Sequence, residues 1–350
     1  MLRTALVVLL TLVVLPLHDG RPVAAAQSNG ITAKRPVFGG ACPACPWGAM
    51  ADVVKAAMKP YGYDVQVCYY CAGSARAARL MAAGANATPP QTPTPNALPT
   101  PEGRLDFGAT GTELLQYAYL GIHDFAHDKE GPRKNLRLIA RIQTPSYFMV
   151  AVDAASTITD LRQIAERRMP VRLLVRGGID TPINRAFLEY YGLSDEKIKS
   201  FGGTTTDRYA RGTKADVIIG WAALVGAPEY AAWYEGSQLQ DLRYLDVPAD
   251  LRASLAKAFY VEDVTAPQGL LRGVTRRIPT VARNGTAVYG RDDMPDAFAY
   301  DVAKALDEQK RELEWSDMPF SYNERTVWKN WDVPLHPGAA RYYRERGYMK

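Results

Sequence analysis

Short apolar runs alternate with helix-period patterns along almost the whole chain, and this rhythm constrains the fold more than any other feature. Residues 35–38, 63–68, 105–108, 136–140, 171–175, 217–219 and 242–245 are apolar stretches too short for helices, so they read as strands. Residues 47–60, 74–83, 112–120, 158–168, 181–191 and 251–259 read as the helices between them. A strand, a turn and a helix, repeated in this way, give an α/β architecture with mainly parallel sheets. In such sheets small molecules gather at the carboxyl ends of the strands, where helix N-termini present free N–H groups.

Two extended segments, 147–152 and 278–288, flank a self-contained middle block and read as hinge crossovers. The chain then divides into lobe 1, residues 27–150 plus 285–350, and lobe 2, residues 151–284. Residues 87–101 interrupt lobe 1 with six prolines and no run able to pack, as expected of an exposed insertion. At the start, Met1-Leu2-Arg3 precedes an apolar stretch over 5–17, and Ala24-Ala25-Ala26 precedes Gln27. Residues 1–26 therefore read as an export signal, the apolar run being shorter than the ~20 residues a membrane-spanning helix needs. The formal charge of +5 over 350 residues changes little when Arg3, Arg21 and Asp19 leave with that signal. So mild an excess, without a long basic run or an RNA-binding aromatic motif, argues against nucleic acid and suits an anionic small molecule.

Several turns can hold such a molecule. Gly177-Gly178-Ile179-Asp180-Thr181 follows an apolar strand and opens a helix, so backbone N–H groups and the Thr181 hydroxyl converge there, with Arg176 beside them. Asp180 would compete with a bound anion or, on the preferred reading, cap the helix. Gly73-Ser74 repeats the logic in lobe 1, with Ser74 as the cap. Tyr69, Tyr70 and above all Trp221 stand near strand ends, where an aromatic ring can wall a pocket. The cysteines form two C-x-x-C units, Cys42/Cys45 and Cys68/Cys71. Structural disulfides, a zinc site and a thiol redox site all remain open. Disulfides across the two loops are preferred because both units follow neighbouring strands, and short rings within one unit are strained. His123 and His127 lack the glutamate that a zinc-protease motif requires and read as part of a polar loop. No metal, no cofactor and no catalytic group is expected.

The closing run Val333-Pro334-Leu335-His336-Pro337-Gly338-Ala339-Ala340-Arg341-Tyr342-Tyr343 is held extended by its prolines and released into a short helix, a terminus that docks. It resembles the end of TAXI-type solute receptors, the extracytoplasmic binding proteins of TRAP transporters. Gly39-Gly40, Gly73-Ser74, Asp106-Phe107-Gly108, Thr181 and Asn184 with the helix after them, Gly226-Ala227-Pro228 and Ile278-Pro279-Thr280-Val281-Ala282 are similar to that family's pattern in order along the chain. Two stretches depart from it: Ile179-Asp180 stands where the family usually has Ser-Gly, and Ala109-Thr110-Gly111-Thr112 replaces its usual polar residues.

The resemblance implies a type II periplasmic binding protein with two lobes and two crossover strands, closing in Venus-flytrap manner over a small carboxylate or amino acid. It further implies delivery to TRAP membrane subunits, a monomer, a periplasmic location and no enzymatic activity. The binding residues it implies are Gly39, Gly40, Cys71, Gly73, Ser74, Thr110 and Thr112 in lobe 1. In lobe 2 they are Gly178, Ile179, Asp180, Thr181 and Trp221. The alternative is an exported thiol–disulfide oxidoreductase or metal-binding protein built on the C-x-x-C pairs.

Overall fold

A computed structural model describes residues 34–40, 46–69, 74–84, 105–208, 214–223, 228–316 and 321–350. The export signal, the proline-rich insertion, Cys42, Cys45, Tyr70, Cys71, Gly73, Gly226 and Ala227 lie outside the described residues.

Three parallel strands open the chain: β1 (Val37–Gly39), β2 (Gln66–Val67) and β3 (Phe107–Gly111), ordered β2-β1-β3. They alternate with helices α1 (Pro46–Met58), α2 (Ser74–Ala83) and α3 (Thr112–Leu120). The long strand β4 (Leu136–Asp153) then carries the chain into the second lobe. There α4 (Arg162–Glu166), β5 (Arg172–Val175), α5 (Pro182–Tyr190), α6 (Asp195–Ser200), β6 (Thr204–Thr206), β7 (Val217–Ala223) and α7 (Pro228–Leu239) repeat the plan. Strand β8 (Leu242–Tyr244), α8 (Ala249–Phe259) and β9 (Glu262–Ala266) complete this lobe. Strand β10 (Ile278–Arg291) returns to the first lobe, which α9 (Asp296–Glu308), α10 (Lys310–Ser316) and α11 (Pro337–Glu345) finish.

The pairing is the same in both lobes. Strands β2-β1-β3 are followed by β10, antiparallel to β3, and then by β4. Strands β6-β5-β7 are followed by β4, antiparallel to β7, and then by β8. In each lobe the antiparallel member is the strand that arrives from the other lobe. This is the two-lobed, two-crossover arrangement of type II periplasmic binding proteins. The sheets are mixed rather than mainly parallel, because a chain that crosses out and back must run each crossover against the strands it joins.

Residues 136–140 and 147–152, expected as separate pieces, form one strand. Thr144-Pro145 reads as a break, but Pro145 sits opposite Asn284, where the ladder shifts register. That shift is a bulge at Gly285, whose φ of +109° and whose approach to the Ile142 carbonyl both require glycine.

Both faces of each sheet are covered, which explains the near-continuous apolar runs. In lobe 1, Phe38, Phe107 and Phe298 meet edge to face at 5.0 and 5.1 Å among α1 and α9, while Leu105, Leu115, Leu136 and Tyr289 pack on the other face. In lobe 2, Phe148, Phe187 and Ile219 pack on one face, and Leu174, Ile218 and Trp233 on the other.

The C-terminal run docks as its sequence implies. Leu335 bridges Leu138 in parallel, the His336 N–H donates to the Leu138 carbonyl at 2.7 Å, and α11 lies on α9 so closely that a Cβ on Gly338 would meet the Asp296 carbonyl at 2.0 Å. His336 is buried, and its Nδ1 accepts from the Gly338 N–H at 3.2 Å to cap α11. Burial holds its imidazole below the ordinary value of 6.5. A base depressed in the folded state binds its proton more readily when unfolded, so stability falls as pH drops below about 6.5 and is unaffected above it. Thermal melts between about pH 7 and pH 5 should show that loss, and His336→Asn, which keeps an acceptor for the cap but does not titrate, should flatten it.

Candidate ligand cleft

The first turns of α3 and α5, the helices that follow β3 and β5, border one cavity between the lobes. It measures about 130 Å³ and is lined from lobe 1 by Glu113, Leu114, Tyr117, His123 and Asp124, and from lobe 2 by Thr181, Pro182, Ile183, Trp221, Phe259 and Val261. Arg283, on the crossover β10, joins them.

On the first side, β1 and β3 run so close that a Cβ on Gly40 would meet the Ala109 carbonyl at 2.1 Å, and one on Gly108 the Gly39 carbonyl at 2.4 Å. Gly39 itself is filled against Leu105. These glycines let the strand end approach its neighbour and place Thr110 and Thr112 at the carboxyl edge. Both threonines are fully buried, and neither hydroxyl has a hydrogen-bond partner. Such a group costs about 1–3 kcal/mol unless something satisfies it. Glu113, in the first turn of α3, is favoured there by the helix dipole. Its Oε1 lies 3.2 Å from Arg283 Nε, and the Arg283 guanidinium covers the Trp221 ring at 4.2 Å.

On the second side, Gly177 and Gly178 take φ of +83° and +91°, and a Cβ on either would meet nothing within 4 Å. Their glycines serve conformation alone, and the space beside them is open. The Asn184 amide ties the turn, donating to the Arg176 and Gly178 carbonyls at 3.2 and 2.8 Å. The Thr181 hydroxyl donates back to Gly178 O at 3.2 Å. Arg176 donates to the Asp207 carbonyl, and its Nε is buried without a partner. Trp221 is buried, edge-on to Phe148 at 5.2 Å, and forms part of the cavity wall.

Ile179 is half-buried against the lobe 2 core. Asp180 does not cap α5: Thr181 is the N-cap residue, and the Asp180 carboxylate is 91% exposed, 3.9 Å from Arg185. The helix therefore begins one residue later than expected, at Pro182, which needs no N–H acceptor. Helix α2 begins at Ser74 itself, so Ser74 is its first residue and not the capping residue before it, while Gly73 and Cys71 are outside the described residues. Tyr69 donates to Asp52 of α1, and burial together with that carboxylate pushes its phenol up to about 12. Cys68, just after β2, is buried and disulfide-bonded.

The sequence did not single out Glu113, Tyr117 or Arg283, and it placed His123 in a polar loop. His123 is instead half-buried at the lobe junction, its ring stacked on Phe259 at 5.0 Å and its Nε2 2.8 Å from the Ala258 carbonyl. Tyr117 donates its hydroxyl to the Phe259 carbonyl at 2.5 Å. These two side chains from lobe 1 thus satisfy carbonyls that the end of α8 leaves without intrahelical partners. Burial and the nearby Glu113 carboxylate raise the Tyr117 phenol well above its ordinary range, which keeps it a donor. Glu113 in a first helical turn signals only a helix start, and Arg283 is far from it in sequence.

Residues 63–347 match the model of the NMT1-like family, and the chain belongs to that family. Among solved structures, it is similar to a TctC solute-binding protein from Polaromonas, at 12% identity over 90% of this chain and 98% of that one with a TM-score of 0.45. It is also similar to a periplasmic transporter protein, at 11% identity over 90% and 93% with a TM-score of 0.44. A Xanthomonas citri protein bound to chloride matches at 13% identity over 89% and 95%, with a TM-score of 0.38.

Gly178→Ala tests the lobe 2 turn. With open space around the new methyl, the cost comes from the left-handed backbone alone, about 1–2 kcal/mol, and a urea titration should find it.

Proposed function

We propose that this protein is an extracytoplasmic solute-binding protein that captures a small anionic organic ligand, a carboxylate or an amino acid, between its lobes. The observation that carries this reading is the cavity between the first turns of α3 and α5, with buried, unpartnered donors in the chain next to those turns: the Thr110 and Thr112 hydroxyls in one lobe and Arg176 Nε in the other. Donors left over beside both helix starts are what a bound anion would satisfy. The family resemblance in the sequence supports delivery to TRAP membrane subunits from the periplasm, with the chain acting as a TAXI-type receptor and not as an enzyme. The expected lobe 1 contacts of Gly39, Gly40, Cys71, Gly73 and Ser74 remain part of the proposal.

A ligand that binds only the folded, closed form stabilises it by about 2.7 kcal/mol at a hundredfold excess over its dissociation constant. A thermal-shift screen of carboxylates and amino acids should therefore raise the melting temperature. Thr110→Val and Thr112→Val should each weaken the ligand that scores by roughly 1–3 kcal/mol while leaving the unliganded protein as stable or more so, since each removes a buried hydroxyl without a partner. Wild-type affinity in both variants would move the ligand elsewhere, and a screen without any shift would remove the receptor reading.

The cysteines, on this reading, brace the lobe 1 loops: Cys42 or Cys45 bonds across to Cys68 or Cys71. Mass spectrometry of exported protein should find no free thiol and two hydrogens fewer per bond, and reduction should cost about 2–5 kcal/mol in all. Free thiols with stoichiometric zinc would favour the metal-site alternative. Turnover of a disulfide substrate would favour the oxidoreductase.

A further inference from the structure

A ligand held only by donors would need no carboxylate beside it, yet the cleft contains one that is incompletely paired. The Glu113 side chain is 5% exposed; Oε1 meets Arg283, and Oε2 is buried with no hydrogen-bond partner. Arg283 is already committed, with Nε toward Oε1 and its guanidinium plane over Trp221. The cavity that Glu113 lines also receives Asp124, so two carboxylates face a single arginine there. A buried carboxylate oxygen is satisfied best by a cationic donor. Opposite Glu113 stands the first turn of α5, where the Ile183 N–H has no intrahelical acceptor. One small space thus has a negative wall and a positive wall. At about 130 Å³ it holds on the order of four water volumes, enough for an ammonium and a short carbon body.

We infer that the ligand carries a protonated amine, seated on Glu113 Oε2, beside the anionic group held at the α5 turn. The substrate class is then the small aminocarboxylates, and Glu113 is the residue that selects them over the corresponding amine-free acids. This rests on the receptor reading above and narrows it.

The test is calorimetric titration of the full exported chain with matched pairs that differ only in the amine: glycine and acetate, alanine and propionate, glutamate and glutarate. Within whichever pair binds, the amine-bearing member should bind about tenfold tighter or more, because a site built around a buried polar group rejects the analogue that leaves it unpaired. Glu113→Gln should erase that ratio, and Glu113→Asp, which keeps the charge, should retain its direction. If Glu113→Gln does not fold, the wild-type ratio and Glu113→Asp decide. Equal or tighter binding of the amine-free acids by the wild type would overturn the inference while leaving a receptor for anions. A ratio that survives in Glu113→Gln would overturn the assignment to Glu113. Binding of neither member of any pair would remove the inference together with the reading on which it rests.

Discussion

The antiparallel pairing of β4 with β10 is the constraint on which the rest of the structure depends. These strands run for 18 and 14 residues, where about 5–6 is usual, because each belongs to the sheets of both lobes. Each lobe takes its antiparallel member from the other, so neither sheet is complete by itself. The joint between the lobes is therefore a hydrogen-bonded ladder and not a linker. Of its two register shifts, at Asn284/Thr286 and Val288/Tyr289, the first, the bulge at Gly285, lies between the parts of β10 that serve lobe 2 and lobe 1, where a twist or bend is absorbed with least disturbance of either sheet.

That ladder also places the cleft. By place in the shared strand order β1 corresponds to β5 and β3 to β7, so the cleft lies between non-equivalent turns, with the first turns of α3 and α5 meeting at a common space. The buried hydroxyls of Thr110 and Thr112 would be a liability in an ordinary core. They persist because the surrounding β3–β10 pairing, Thr110 against Ala287 and Gly111 against Thr286, fixes the backbone that carries them. The end of α8 supplies a second tie between the lobes, with Tyr117 and His123 reaching its last carbonyls. Both His123 and the α8 cap residue Tyr260 hold left-handed backbone, at φ of +51° and +49°, which only well-packed surroundings maintain in side chains of this size.

Much of the scaffold was legible in the sequence because its signals are local. Helices α2 and α3 begin and end where their patterns do, and β5 and β7 follow directly from apolar runs. The segments that escaped are those whose signal is not local. Strands β6 and β9, Thr204–Thr206 and Glu262–Ala266, are polar enough at alternate positions to pass for loop, and their partners define them. Helix α9 begins after Pro295, which occupies its N-cap position. In the cleft, the glycine turn was legible because φ above zero demands glycine. The pairing of Glu113 with Arg283 was not, because an ion pair between a helix start and a crossover strand leaves no mark on either neighbourhood.

The terminal run that most resembles a known family is tied to the scaffold, not to the cleft. His336, Gly338 and Leu335 are spent on β4, α9 and the cap of α11. Of the stretches that depart from the family pattern, 109–112 runs into the first turn of α3 and 179–180 stands just before Thr181, the first lobe 2 residue of the cavity wall. Resemblance carried by packing residues is therefore informative about the fold and silent about the cleft. Threonines at 110 and 112 bring hydroxyl donors to the edge of β3, and Ile179 packs on the lobe 2 core. Selectivity in this chain should thus be sought in the first turns of α3 and α5, which the shared scaffold aims but does not specify.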